Sequence, residues 1–436
     1  MTNCNEQRMI FPAVKSKKVE LSFDGGEITS DVGSMLLSLM DKKLGLTKKA
    51  AQLMVDHRQQ SKVKHKLECM LKQRVFGIAS GYEDLNDHDQ LKLDPCFQTA
   101  LGINENPASS PTLSRFENRA DRKVAIGFHK LMVETMIQSY RDAPKELILD
   151  FDATDDRVHG HQEGRFYHGY YGHYCFLPLY VFCGDQLLVS YLRPANQDPA
   201  KHAGAILRLL VKRFRKEWPD VKIIFRGDSG FMRHRMFNWC EKHNVHYITG
   251  LAKNNILMSK ALDWYFQAEY LFKTEHRKQR RFGEFGYQAG TWKRSRRVIV
   301  KAERNDLGPN TRFIVTNLQG DPQELYDKLY CQRGKMEQSI DEQISFFADR
   351  TSCSNWWANQ FRLLLSSMAY VLVDTIRRTA LKNTELEKAR CATIRLKLFK
   401  VGAVIIRNTR RIRVLLSSSY PFKELFRGVY NSLYPS

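Results

Sequence analysis

Between residues 146 and 231 the chain alternates in a way that few folds accommodate. Residues 146–152 (ELILDFD) form a short apolar run that ends in carboxylates. Residues 174–182 and 186–192 are two further strand-like runs, joined at Cys183-Gly184-Asp185 by a hairpin-type turn. Helical spacing takes over across about 201–216, where Ala203, Ile206, Leu207, Leu210 and Phe214 share one face. Residues 221–225 (VKIIF) are then apolar apart from Lys222, close to what a strand buried on both faces would show, and run into Arg226-Gly227-Asp228-Ser229-Gly230-Phe231. Three strands able to pair antiparallel, a helix and another strand predict an α/β core with a mixed sheet.

The flanks read differently. Residues 65–78 place Leu67, Met70, Leu71, Val75 and Ile78 at helical spacing, and helical segments continue to about 140. Residues 1–140 are therefore expected to be mainly helical, with their first twenty or so positions loosely ordered. Within it, residues 110–119 (SPTLSRFENR) read as a cap and a short helix, either the reader of a helix-turn-helix or a solvated surface helix. After about 254 the chain turns basic, with alternating runs at 297–301 and 312–316 that predict a β-rich insertion over 255–322. A helical pattern resumes near 323 and runs to about 378. The expected α/β core is thus 141–254 plus 323–378, followed by a basic region over 379–436. Such a division suits a chain of 436 residues, too long for one ordinary core.

Charge narrows the partner. Lys and Arg number 69 against 47 Asp and Glu, an excess of 22 positive charges, and a protein this basic is expected to meet a polyanion. Residues 253–304 hold 13 basic and 5 acidic side chains, and residues 376–436 hold 14 and 3, so these two segments carry nearly the whole excess. In the first, the clusters around Arg280 and Arg281 and around Lys293, Arg294, Arg296 and Arg297 flank Phe282, Phe285, Tyr287 and Trp292. Cations interleaved with aromatics suit neutralisation of a nucleic-acid backbone together with base stacking. No apolar run is long enough for a transmembrane span, and the start lacks the apolar stretch of a signal peptide. The nine cysteines show no Cys-x-x-Cys pair, as expected of reduced cytoplasmic thiols.

Cleaving a phosphodiester near neutral pH requires an activated water and a neutralised leaving oxygen. Two Mg²⁺ ions about 3.5–4 Å apart supply both, held by carboxylates. The sequence offers Asp152 at the end of the first strand, Asp228 after the fourth, and Glu337 in the later helical segment. If that segment is a regular helix, Tyr330, Arg333 and Glu337 fall within roughly 60° of one another, on one face. Alternation leaves Asp150 and Asp152 indistinguishable, since both point to the same side of the strand, and Asp341 is a second candidate for the third acid. His159, His161, His168 and His173 lie among glycines and aromatics in what reads as a loop rather than a zinc site.

Here the chain resembles a known family. Tyr330, Arg333 and Glu337 reproduce the Tyr-x-x-Arg-x-x-x-Glu signature of DDE transposases in the IS-four-like branch of bacterial insertion sequences. Residues 149–160 (LDFDATDDRVHG), 226–231 (RGDSGF), 330–337 (YCQRGKME), 347–352 (FADRTS) and 23–26 (FDGG) resemble the IS-thirteen-eighty group within it. The resemblance implies a ribonuclease H-like core with a β-rich insertion. It implies Mg²⁺-dependent transposition, with Mn²⁺ able to substitute, and selects Asp152 over Asp150 to complete a triad with Asp228 and Glu337. Tyr330 and Arg333 become expected DNA contacts. The implied partners are the terminal repeats and target DNA, met by a homodimer at the bacterial nucleoid. Some members of the branch pass through a DNA hairpin and stack a flipped base on an aromatic. Trp292 lies in the right segment for that, but a core tryptophan is the preferred reading. The branch signature often continues to a lysine seven residues after the glutamate. That position is Ile344 here, and Lys335 or a basic residue of the insertion is the candidate replacement. The alternatives are a nuclease of the same fold without strand transfer and a non-catalytic DNA-binding derivative.

Overall fold

The computed structural model describes residues 8–434. The chain divides into two compact units, one formed by Met1–Phe116 with Leu372–Ser436 and the other by Glu117–Val371.

The second unit is built on one large mixed sheet, as the alternation over 146–231 predicts. Its strands are β1 (Glu146–Ala153), β2 (Leu179–Cys183), β3 (Gln186–Tyr191), β4 (Lys222–Gly227), β5 (His246–Leu251), β6 (Gln279–Tyr287), β7 (Arg296–Asn305) and β8 (Arg312–Thr316). They lie in the order β6-β7-β8-β5-β4-β1-β2-β3, with the short strand Gly308–Pro309 beside β7. The central strand β4 runs parallel to both β1 and β5, while β1 to β2, β2 to β3 and β5 to β8 are antiparallel. Helix α1 (Ala203–Glu217) supplies the crossover from β3 to β4, and α2 (His234–Lys242) the crossover from β4 to β5. Residues 255–322 hold two helices, Asn255–Lys260 and Leu262–Glu275, before strands β6 to β8 extend the same sheet.

Alternation along the strands gives the sheet two apolar faces. On one, Leu147, Leu149 and Phe151 of β1 and Ile223 and Phe225 of β4 pack against Leu207, Leu210, Val211 and Phe214 of α1 and Phe237 and Cys240 of α2. On the other, Ile224, Ile248, Ile299 and Ile314 form a row over β4, β5, β7 and β8, with Ile148 of β1 at its end. Leu318, Leu325, Tyr326, Leu329 and Tyr330 cover that row. Burying each isoleucine contributes about 1.5–3 kcal/mol, so the segment leading to Glu337 is held to the face that Asp150 and Asp152 share.

That segment is not the single helix expected over 323–378. A turn capped by Asp321 (Pro322–Glu324) leads into a wide π-type turn (Leu325–Tyr330), a tight 3₁₀ turn (Cys331–Arg333) and then helix α3 (Gly334–Ile344). A separate helix α4 covers Trp356–Thr379. The intervening loop is fixed by Phe347 in the left-handed region, by the Thr351 hydroxyl donating to the buried Asp156, and by Asn359 bonding both the amide and the carbonyl of Cys353. Among the described residues, no helix is long and apolar enough to cross a membrane.

In the first unit, helix Leu67–Ser80 matches its sequence pattern, with Met70, Leu71, Val75 and Ile78 buried. Helix Ser110–Glu117 also forms, with Leu113 and Phe116 buried and Arg115 exposed. Strand Ala403–Arg407 lies between Ile412–Leu416 and Glu27–Thr29 in a small antiparallel sheet. The chain start departs from the expected loose order. Met9–Val14 and Lys17–Leu21 pair as a hairpin, with Met9 opposite Leu21 and Phe11 opposite Val19. These cross-strand apolar pairs are the physical reason. Residues 1–7 lie outside the described part.

Candidate active site

The pairing of β1 with β4 sets the site. Arg226 is the cross-strand partner of Asp150, and Gly227 of Phe151, so the next step of the ladder brings Asp228 into line with Asp152. The Arg226 guanidinium clasps Asp150 through Nε and through Nη2, the latter at 2.6 Å from Oδ2, and donates from Nη1 to the Leu329 carbonyl at 2.5 Å. Both charges are buried, a pairing that is costly to break on one side alone. Asp150 is thereby engaged, and Asp152 is the face-sharing aspartate that opens toward Asp228 and Glu337. Its Oδ1 accepts from the Ala153 amide at 2.9 Å and its Oδ2 from Arg333 Nη2 at 2.6 Å. Burial pushes the Asp152 carboxyl up to about 6; Arg333 opposes the shift, and the charges of Asp228 and Glu337 add to it. Asp228 opens the short turn Ser229–Phe231, its Oδ1 accepting from the Gly230 amide at 2.8 Å.

Tyr330, Arg333 and Glu337 come together, although not on one regular helix. The Tyr330 ring lies on the isoleucine row and its hydroxyl rests over Gly250 of β5. A Cβ at Gly250 would stand 2.7 Å from that hydroxyl and 2.8 Å from the Ser229 amide nitrogen, so only glycine permits the approach. Arg333 bridges the acids, with Nη2 on Asp152 and Nη1 3.3 Å from Glu337 Oε1, while its Nε is buried without an acceptor. Burial disfavours the Arg333 charge, yet Asp152, Asp228 and Glu337 outweigh it and hold its pKa above the ordinary value. The Glu337 side chain is 66% exposed against 12% for Asp152. Asp341 and Lys335 are exposed on α3, and Ile344 is its partly exposed last residue. Two aspartates thus stand side by side, and the glutamate is joined to them through a guanidinium. Among the described residues, no three His, Cys, Asp or Glu side chains converge as a metal-holding group.

The basic clusters of the insertion are largely engaged within the fold. Arg280 pairs with Asp327 and Glu303 and lies over the Phe282 ring at 4.8 Å. Arg294 and Arg296 both pair with Glu241 of α2, and Arg296 is buried. Arg297 joins Glu284 to the carbonyls of Leu318 and Gly320. Arg281 is half-buried and donates to the Arg280 carbonyl at 3.4 Å. Trp292 is buried against Phe237 and Tyr287, in the core position preferred for it on sequence grounds. Lys293 is exposed and has no carboxylate partner among the described residues. In the other unit, the hairpin of strands 403–407 and 412–416 presents Arg410 and Arg411 in its turn and Arg413 on its second strand, all exposed and without an ion-pair partner among the described residues. The Asn408 side chain fixes that turn by accepting from the Arg410 and Arg411 amides at 3.0 and 2.8 Å. Segment charge pointed to this region but not to these residues, which emerge only once the hairpin is formed. Of the four histidines near the first strand, His173 lies 2.7 Å from Asp155 and His161 2.8 Å from Arg165.

Comparison with known proteins adds a family. A family model described as transposase DDE domain, group 1, matches residues 11–436. Among solved structures, a piggyBac transposase synaptic complex with hairpin DNA is similar at TM-score 0.43 and 12% identity, covering 94% of this chain and 86% of that one. No curated protein matches in sequence.

Proposed function

This chain belongs to the transposase DDE domain family, group 1, and from that premise we propose that it cuts DNA at the ends of a mobile element and joins them to a target. The observation that carries the reading is the register of β1 and β4, which sets Asp152 beside Asp228 at neighbouring strand ends with Glu337 tethered to Asp152 through Arg333. A ribonuclease H-like reading of the core is supported by the order β5-β4-β1-β2-β3, in which three antiparallel strands are followed by two parallel to the first. The signature at Tyr330, Arg333 and Glu337 supports placement in the IS-four-like branch and its IS-thirteen-eighty group.

The donor chemistry suits Mg²⁺, although the three carboxylates do not converge in this structure. The donor set is made of carboxylate oxygens without thiolate or imidazole, as a hard cation requires, and the structure already places a cation, the Arg333 guanidinium, between Asp152 and Glu337. Asp152, Asp228 and Glu337 would hold the metal, which supplies positive charge to the attacking and leaving oxygens. Arg333 opposes the burial that raises the Asp152 carboxyl and orients Glu337, and Tyr330 fixes the approach of this segment to Asp228. Outside the acids, Arg410, Arg411 and Arg413 offer charge for DNA phosphates, and Lys293 and Lys335 add single exposed cations. Joining two element ends calls for at least two copies of the site, hence a homodimer on DNA.

End-labelled DNA spanning an element–flank junction, incubated with the protein, Mg²⁺ and a target plasmid, tests the reading. Labelled strand-transfer products are expected. Cleavage without transfer would reduce the protein to a nuclease, and binding without cleavage would reduce it to a DNA-binding derivative.

A further inference from the structure

The segment that follows Asp152 and Asp155 exposes an unusual amount of aromatic surface. Strand Phe166–His168 pairs with His173–Phe176, which also pairs with Asp156–Arg157, making a small three-stranded sheet. Phe166, Tyr167, Tyr170 and Tyr174 are all exposed, Tyr170 by 87%. Their rings nevertheless touch, Tyr167 with Tyr174 at 5.7 Å and Tyr170 with Tyr171 at 5.0 Å, and the Arg165 guanidinium lies 4.5 Å over Tyr174. Clustered aromatics left in water mark a surface made to receive something.

The base of this sheet is fixed next to the acids. Tyr171 packs with Ala153, the neighbour of Asp152, against Cys175, Leu177 and Ala195. The charges of Asp155 and Asp152 reach the Tyr171 hydroxyl, which burial above all pushes up to about 12. His173 holds Asp155 at 2.7 Å. On the other side, the Glu163 amide donates to the Ser354 carbonyl and its carboxylate accepts from the Trp356 amide, and Gly164 lies against the Trp356 ring, where a Cβ would stand 2.6 Å away. A rigid root therefore carries an exposed aromatic tip. Arg157 is exposed beside it with no ion-pair partner among the described residues.

We propose that this hairpin is a stacking platform for unpaired nucleobases of the DNA strand cut beside Asp152, with Tyr167 and Tyr170 presenting ring faces and Arg157 and Arg165 neutralising the adjacent backbone. The proposal rests on the DNA-cutting reading above and specifies which part of that substrate the protein grips. Every base has a π-face, so the platform tolerates any sequence and discriminates paired from unpaired bases.

Fluorescence anisotropy of the full chain decides, using a blunt duplex and the same duplex with a short single-stranded extension. The wild type is expected to prefer the extended duplex. Tyr167→Ala with Tyr170→Ala is expected to lose that preference, by about fivefold or more per stacked base, with blunt-duplex affinity and melting temperature unchanged. Phenylalanine at both positions is expected to retain it, because stacking uses the ring and not the hydroxyl. An unchanged preference in the alanine pair overturns the platform and leaves the DNA-cutting reading intact, as does a pair that alters only self-association. A wild type that binds neither duplex overturns the DNA-cutting reading and the platform with it.

Discussion

Asp152 is held against its own charge. Its ordinary carboxyl value is 3.8 and the fold raises it to about 6, through burial first and the neighbouring acids after Arg333 has opposed them. A raised value means that the protonated form is the one favoured by folding. The stabilisation is present below the ordinary value and is lost as pH rises through about 6. Asp152→Asn should therefore raise the melting temperature at pH 7.5, by at most about 3 kcal/mol of stability at 1.4 kcal/mol per unit, and the gain should fade toward pH 4. A melting temperature that drops at both pH values would mean that the Arg333 pair dominates instead. The choice between Asp150 and Asp152 shows what is legible at this scale. Alternation puts both on one face, and only the cross-strand partner separates them. Arg226 faces Asp150 because β1 and β4 are parallel in that register, a long-range fact that no local pattern carries.

At the scale of elements, β1, α1 and β4 could be read directly because burial imposes period 2, period 3.6 and a central Ile-Ile-Phe run on them. The segment 325–333 could not. Its wide and tight turns follow from docking Tyr326 and Tyr330 on the isoleucine row, and no residue type marks them in advance. The break at 345–355 was hidden for a similar reason, since it contains neither glycine nor proline and depends on tertiary hydrogen bonds to Asp156 and Asn359. Gly250 links this segment to the sheet. Gly250→Ala should displace the Tyr330 hydroxyl or the Asp228–Ser229 backbone, costing about 1–3 kcal/mol of stability and reducing cleavage with it. Chemical denaturation together with a cleavage assay reads both effects. A neutral Gly250→Ala would remove the claim that Tyr330 sets this approach.

For the whole molecule, the excess of 22 positive charges is real, but its location in the chain is a poor guide to its use. Arg297 pairs with Glu284 of its own segment, but Arg294 and Arg296 are matched by Glu241 and Arg280 by Asp327, acids outside 253–304 that a segment count cannot see. Arg410, Arg411 and Arg413 have no such partners among the described residues. Replacing all three with glutamine should reduce the slope of log affinity for duplex DNA against log salt by roughly 2.7, from about 0.9 per phosphate contact. An unchanged slope would place the phosphate contacts elsewhere.

The central claim is that Asp152, Asp228 and Glu337 act together on DNA. It is tested most directly by Mg²⁺-dependent cleavage of junction DNA with the wild type, Asp228→Asn, Glu337→Gln and Asp341→Asn in parallel. Abolished cleavage in the first two variants with activity retained in Asp341→Asn is the predicted result. Cutting by Asp228→Asn at the wild-type rate, or loss with Asp341→Asn in place of Glu337→Gln, would contradict it.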